Sequence, residues 1–334
     1  MAWIGLDIGG ANLKAAFPGS SDCPAMEMPF PMWTDWKTLE EALGKLLRDT
    51  DLADAIAVTM TGELADNFEN RRAGVLFIAD AIESVAANRR VVYYCCDGVW
   101  RIRKQLEQDW GLVAAANWHA TATWGARLLP DRSGLVIDVG STTTDVSVVK
   151  DDVVATTSQN DLERLTTGEL LYVGADRTPI CGLLDHVDYG GNQIALANEL
   201  FATVGDAAVW KGVTPEFPEL MQTADRRPKT RAAGGQRMAR MLCRDLVDLD
   251  SDLIDALAEQ TIAAAQAAIG DTVSKCLATS GASAKHALVV GEGQFLVGDA
   301  MKEIDAIYLA DQIGEAASAC GPAHAVAVLA SENF

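Results

Sequence analysis

Short, mainly apolar runs alternate along this chain with longer stretches of helical periodicity. Trp3–Ile8, Leu13–Phe17, Ala55–Met60 and Val91–Cys95 read as buried strands bounded by polar or glycine punctuation. Between them, "DWKTLEEALGKLLRDT" repeats apolar residues at helical spacing from Trp36 through Leu39, Leu43, Leu46 and Leu47. Arg72 to Ala87 reads as helix, and Trp118–Leu129 as a helix ended by Pro130. After Pro130 the pattern restarts. Leu135–Asp138 and Asp145–Val149 predict a hairpin, "DVVATTS" a third strand, and Ile194–Val204, Arg231–Leu246 and Leu253–Ser280 helices. "HALVVGEG" is a buried strand entering a glycine turn, "IDAIYL" a further strand, and "PAHAVAVLASENF" a closing helix. Helices alternating with short apolar strands predict layered α/β structure in two similar halves. The expected division is residues 1–129, with the helix 321–334 packing back on them, and residues 130–320, with a helical insertion at about 190–285.

The restart makes one repetition visible. "LDIGGANLKAAF" (Leu6–Phe17) and "VIDVGSTTTDVSVV" (Val136–Val149) align without a gap, setting Asp7 on Asp138, Gly9 on Gly140 and Asn12 on Thr143. A single acid–glycine turn is usually only a hairpin turn. Two in register, one per half, point to shared chemistry. Glycine lets the backbone approach a ligand closely, and successive turn amides form an anion-binding concavity. Gly9, Gly10 and Asn12 supply it in the first turn; Gly140, Ser141, Thr142 and Thr143 supply it in the second, with hydroxyls added. The strand-end acids Asp7 and Asp138 cannot bind phosphate themselves, but they suit Mg²⁺, directly or through water. Two such turns facing across a cleft would grip a di- or triphosphate. No G-x-x-x-x-G-K-[ST] occurs, and no G-x-G-x-x-G follows the first strand.

The charge makes this clamp necessary. A formal net charge of −20 argues against nucleic acid and anionic membranes as partners and leaves a small phosphorylated molecule as the expected one. Phosphate on so acidic a chain needs local amides, a few placed cations or a metal ion. No apolar run approaches the ~18 residues of a membrane span. "MAWIGLDIGG" lacks the basic region and cleavage site of a signal peptide, so a cytoplasmic location is expected. Seven scattered cysteines without a CxxC indicate neither a disulfide framework nor a zinc site.

Other candidates are single residues. Glu63, in "TMTGELAD", follows a strand and a glycine; it reads as a base or metal carboxylate, or as a loop acid near a helix start. Arg177, in "ADRTPICG", could bind an anion with its planar fork or form a surface ion pair. Gly291 and Gly293, in "VVGEGQFLVG", form a turn able to lie against a nucleotide or an elongated substrate. His119 in "NWHATA", Trp118 and Trp124 read as structural before catalytic. The basic segment 226–244 reads as a solvated or acid-paired helix face, with Arg226, Lys229 or Arg231 as the alternatives reaching the cleft.

These elements, in this order, resemble the acetate and sugar kinase, Hsp70 and actin superfamily. That resemblance implies two RNase H-like domains around a central phosphate and metal cleft. "TGELADNF", "DVGSTTTDVSVV", "GELLYVGADRTPICG", "ELFATVGD" and "TADRRPKTR" narrow it to hydantoinase/oxoprolinase-like proteins described as tetrahydromethanopterin-linked one-carbon transfer pathway proteins, with an archaeal branch in methanofuran biosynthesis. The resemblance implies a transferase that condenses 5-(aminomethyl)-3-furanmethanol diphosphate with γ-glutamyltyramine, or a related phenol, and releases pyrophosphate. Asp7 and Asp138 would then hold Mg²⁺, and the two turns with Lys14 would grip the departing pyrophosphate. The alternative is an ATP-dependent kinase or ATPase using the same clamp, with "VVGEGQF" against adenosine. A nucleotide-dependent switch is a third reading, weakened by the lack of an appended peptide-binding region.

Overall fold

The computed structural model describes residues 1–18, 25–48, 53–301 and 304–334, so Asp49 and Thr50 of the first helical pattern lie outside it. The first half holds a six-stranded sheet of β1 (Trp3–Ile8), β2 (Asn12–Ala16), β3 (Ala25–Pro29), β4 (Ala55–Met60), β5 (Arg90–Tyr94) and β6 (Trp100–Arg101), in the order β3-β2-β1-β4-β5-β6. β1 pairs antiparallel with β2 and parallel with β4. One face of the sheet is covered by α1 (Met32–Asp35), α2 (Leu39–Leu46), α3 (Arg71–Val85) and α4 (Leu106–Val113), through Leu39, Leu43, Ile78 and Ile82 among others. Asn70 starts α3 by accepting from the Ala73 amide at 2.9 Å.

The second sheet repeats this plan. It contains β7 (Gly134–Val139), β8 (Thr144–Lys150), β9 (Val153–Val154), β10 (Leu170–Leu171), then β13 (His286–Val290) and β14 (Asp305–Tyr308), in the order β10-β8-β7-β13-β14 with β9 on β8. The core β2-β1-β4-β5 and β8-β7-β13-β14 arrangements match strand for strand: an antiparallel hairpin whose first strand also starts a parallel set. β11 (His186–Tyr189) and β12 (Asn192–Ala195) form a separate hairpin; α6 (Asp161–Thr167) precedes β10, and α10 (Leu309–Ile313) and α11 (Glu315–Ala319) follow β14.

Two helices lie between the sheets. α5 (Asn117–Gly125), although it precedes Pro130, packs on β7 and β8, while α12 (Gly321–Asn333) lies on β1. A Cβ on Gly5 would come within 1.8 Å of the Ala323 carbonyl oxygen, so β1 meets α12 closely enough to require glycine. Trp3, Ala55, Ala120, Val136, Leu288 and Val326 form the shared core that joins the halves.

The region after β12 has two parts. α7 (Val204–Trp210), α8 (Arg231–Met241) and the first turns of α9 (Ser251–Ser280) bury their own cluster around Met238, Ile254 and Leu257. The later turns of α9 place Ile269, Val273 and Cys276 on the second sheet. Arg237, which the helical spacing groups with Arg240 and Arg244, is acid-paired as that reading allows, and is buried. Its guanidinium donates to Asp206 from Nε at 3.0 Å and to Asp225 from Nη1 at 3.0 Å.

The expected helix at Ile194–Val204 does not form. Gly190 and Gly191, at φ +58° and +78°, close a two-residue turn between Tyr189 and Asn192, and this reverses the chain into the β11–β12 hairpin. The "DVVATTS" strand shortens to Val153–Val154, and β3, β6 and α4 are elements that the apolar pattern alone did not announce.

Candidate active site

The two hairpin turns are built alike. The Gly9 amide donates to the Asn12 carbonyl at 3.0 Å, and the Gly140 amide to the Thr143 carbonyl at 2.9 Å. Each turn is also braced from outside. Phe30 and Met32 donate to the carbonyls of Ala11 and Gly10; Ala175, Asp176 and Arg177 donate to those of Gly140 and Ser141. The carbonyls are therefore tied back into the protein. Among the described residues, the amides of Gly10, Ser141 and Thr142 have no protein acceptor, which is the state required of an anion-binding turn. Gly174 keeps the second turn in place: a Cβ there would sit 2.6 Å from the Gly140 oxygen and from the Thr142 backbone.

Both turns open into one cavity of about 450 Å³, lined from the two halves of the molecule. Asp7 and Asp138 line it together, as do Gly9, Gly10, Asn12 and Lys14 of the first turn and Gly140 to Thr143 of the second. Glu63, Arg177 and Gly291 also reach it. Gly293 does not. Its amide donates to the Val139 carbonyl at 2.9 Å and a Cβ would lie 2.3 Å from the Val139 side chain, so this glycine serves packing and not ligand contact. Gly291, at φ +93°, approaches Asp138 closely enough that a Cβ would be 2.8 Å from its carboxylate.

Register explains what each hairpin contributes. Asp7 sits opposite Lys14, and Asp138 opposite Asp145, so one aligned position holds a cation in the first half and an acid in the second. Burial pushes the Asp7 carboxyl up to about 6, against the pull of Lys14. Burial, with the neighbouring charge of Asp145, pushes Asp138 up to about 7. Oδ1 of Asp7 is buried without a hydrogen-bond partner. An orphaned carboxylate oxygen beside a second strained carboxylate fits a hard divalent cation whose other ligands are phosphate and water. No three His, Cys, Asp or Glu side chains among the described residues converge to hold a metal by themselves.

Glu63 follows Gly62, which packs against the first hairpin turn. A Cβ on Gly62 would be 2.9 Å from the Gly9 carbonyl, so this loop rests directly on that turn. The Glu63 side chain is 1% exposed. Arg71 holds Oε1 at 3.3 Å, while Oε2 is buried with no partner. Burial raises this carboxyl to about 7, although Arg71 acts the other way. The result is a base that can accept a proton near neutral pH.

The cations are differently committed. The Lys14 ammonium donates to the Ala319 carbonyl at 2.8 Å and pairs with Glu27 at 3.5 Å. Burial disfavours its charge, and Glu27 and Glu292 outweigh that, so it stays protonated. Arg177 stacks its guanidinium 4.3 Å from the centre of the Trp33 ring and makes no ion pair among the described residues. It is the lining cation with an open fork. Lys229 of the basic segment is engaged by Asp176 at 2.6 Å, and Arg231 stacks on Trp210.

Several lining residues escape sequence reasoning. Asp145 pairs with Arg164 at 2.8 Å, and Arg164 is itself buried against Trp118. The alignment of the two hairpins, which equates Asp145 with Lys14, was the signal available for it. Nothing local marks Trp33 or Tyr172. His119 sits outside the cavity, bonded to the Tyr94 hydroxyl at 2.9 Å, and burial lowers its imidazole to about 4. It is a structural residue.

Residues 54–332 match the hydantoinase/oxoprolinase family. The chain belongs to that family. Within it, a protein of Methanocaldococcus jannaschii named (4-{4-[2-(gamma-L-glutamylamino)ethyl]phenoxymethyl}furan-2-yl)methanamine synthase is 31% identical over 339 aligned positions, covering 99% of this chain and 98% of its own. A Methanococcus vannielii protein of the same name is 28% identical over 205 positions, 60% of this chain and 91% of its own. Among solved structures, a ROK family glucokinase from Streptomyces griseus, in complex with glucose and AMPPNP, superposes with a TM-score of 0.53 at 12% identity. It covers 99% of this chain and 100% of its own. That likeness, with the repeated sheet order, shows that this family member shares the α/β fold of that glucokinase. No helix of the described residues is long and apolar enough to cross a membrane.

Proposed function

We propose that this hydantoinase/oxoprolinase family protein is a cytoplasmic transferase of methanofuran- or methylofuran-type biosynthesis serving tetrahydromethanopterin-linked one-carbon metabolism. It joins a furfuryl-type diphosphate, 5-(aminomethyl)-3-furanmethanol diphosphate, to the phenol of γ-glutamyltyramine or a related acceptor. The carbon–oxygen bond to diphosphate breaks, the phenol oxygen bonds to that carbon, and pyrophosphate and a proton leave. The observation that carries the reading is the near full-length likeness to the named synthase on a chain whose two phosphate turns and one free buried base share a cavity.

The chain's groups suit the two demands of this reaction. A furfuryl carbon sheds diphosphate readily once the departing charge is stabilised, and the free amides of Gly10, Ser141 and Thr142, with the Arg177 fork, meet that charge. Preorganised donors of this kind are each worth about 10²–10³ in rate. Lys14 adds positive charge at the wall, its ammonium already held by Ala319 and Glu27. Asp7 and Asp138 would hold Mg²⁺, which supplies Lewis-acid neutralisation of the diphosphate when bound. Glu63 takes the phenol proton at Oε2, a step worth about 10²–10⁴ in rate.

The test is direct. The purified protein is mixed with Mg²⁺ and either ATP alone or the furan diphosphate with γ-glutamyltyramine. Pyrophosphate and the ether are expected from the second mixture alone; ADP from the first would overturn the reading.

A further inference from the structure

The cavity wall is uneven in a way that the phosphate chemistry does not explain. Its phosphate side is glycine, hydroxyl and charge. The same wall also carries two large apolar surfaces: Leu64 at 52% exposure and Tyr172 at 50%. They come from different halves of the molecule, Leu64 from the loop on the first turn and Tyr172 from the segment after β10. Tyr172 lines the same cavity as Glu63, and burial, with the charges of Asp161, Asp145 and Glu63, raises its phenol. Large half-exposed apolar side chains at a polar cavity signal a ligand with an apolar face.

Glu63 says which ligand. Arg71 occupies Oε1, and its reach to Asp161 at 3.8 Å fixes the carboxylate between the two halves. Oε2 is left buried and unpaired on a residue that lines the cavity. An unpaired carboxylate that shares a cavity with an aliphatic and an aromatic surface is complementary to a neutral aryl hydroxyl, whose ring needs apolar cover and whose O–H needs an acceptor. A carboxylate-bearing or sugar-like group would leave Leu64 and Tyr172 uncovered.

We infer that Leu64 and Tyr172 form the acceptor subsite, holding a phenol ring between them with its hydroxyl donating to Oε2 of Glu63. Arg71 is the positioning residue that leaves only this oxygen available. The subsite requires both halves at once, because each contributes one of the two apolar surfaces. The assignment rests on the ether-forming reading for the acceptor's identity and on the geometry for its place.

The test is equilibrium binding by titration calorimetry, with γ-glutamyltyramine as one probe and Mg²⁺–pyrophosphate as the other, alongside turnover. Leu64→Ala and Tyr172→Ala should each weaken the aryl probe about tenfold, raise the acceptor KM similarly, and leave pyrophosphate binding within twofold. Tyr172→Phe should bind the aryl probe like the wild type. Both positions are half-exposed, and thermal melts check that the variants fold. Unchanged aryl binding in both alanine variants overturns the subsite while leaving the ether-forming reading intact. Failure of the wild type to bind the aryl probe overturns the subsite as well. If the wild type binds the probe through these residues yet releases no pyrophosphate, the subsite stands and the ether-forming reading falls.

Discussion

Glu63→Gln separates the stability of this protein from its chemistry. The folded Glu63 carboxyl titrates at about 7 against an ordinary value of 4.5, chiefly because burial disfavours the charge. A raised carboxyl binds its proton more tightly in the folded chain than in the unfolded one. Between pH 4.5 and 7 the native state therefore holds a proton that the unfolded state has lost, and stability falls as pH rises through that window. Above pH 7 the full penalty is present, about 3 kcal/mol from a rise of this size. Glutamine keeps the shape and can still accept from Arg71, but carries no charge to bury. The variant should match the wild type at pH 4.5 and be more stable at pH 8.5. For a chain of 334 residues, about 3 kcal/mol corresponds to a Tm gain of about 4 °C. Calorimetry of both proteins at the two pH values, without ligand or divalent ions, reads the difference directly. Asp7 and Asp138 titrate identically in both, so the comparison isolates Glu63. The same variant should lose about 10²–10⁴ in kcat. A gain that is absent at pH 8.5, or equal at pH 4.5, would refute the buried-base assignment.

Further outcomes follow from the same geometry. Asp138→Asn should lower kcat/KM at least 100-fold while the fold persists, because a neutral amide relieves burial but cannot neutralise a cation; steady-state kinetics that match the wild type would remove the metal role. Gly174→Ala places a methyl 2.6 Å from the Gly140 oxygen and the Thr142 backbone, so the second turn must shift. Calorimetry should show about 1–3 kcal/mol of lost stability and a marked loss of pyrophosphate affinity. Arg237→Ala leaves Asp206 buried without its partner and should cost about 3–5 kcal/mol in denaturant unfolding.

The candidate site was legible where chemistry and chain order coincide. The two acid–glycine turns lie at strand ends that are neighbours in sequence, so local pattern sufficed to mark Asp7, Gly9, Asp138 and Gly140. Their duplication pointed to a shared place, and the four residues line one cavity. Glu63 was visible for the same reason, standing at the end of a buried strand. Gly293 illustrates the limit: its glycine pattern matched that of Gly291 two residues earlier, but only packing on Val139 assigns one to structure and the other to the cavity. The helix expected at Ile194–Val204 failed because two glycines at positive φ reversed the chain, a turn preference that outweighs apolar spacing.

By itself, the sequence determined the alternation of strands and helices, the repeated hairpins and the acidic charge of the chain. These are properties of short segments and of total charge. Tertiary structure alone decided that α5 packs on the second sheet and α12 on the first, that Arg164 and Arg237 are buried against acids, and that Trp33 meets Arg177 across the cleft. It also brought Leu64 and Tyr172, which lie far apart in the chain, to one cavity with Glu63. The physical reason is that a strand's pattern records which face is buried, whereas contacts between elements depend on how two sheets twist and stack around the helices between them. No local pattern carries that information.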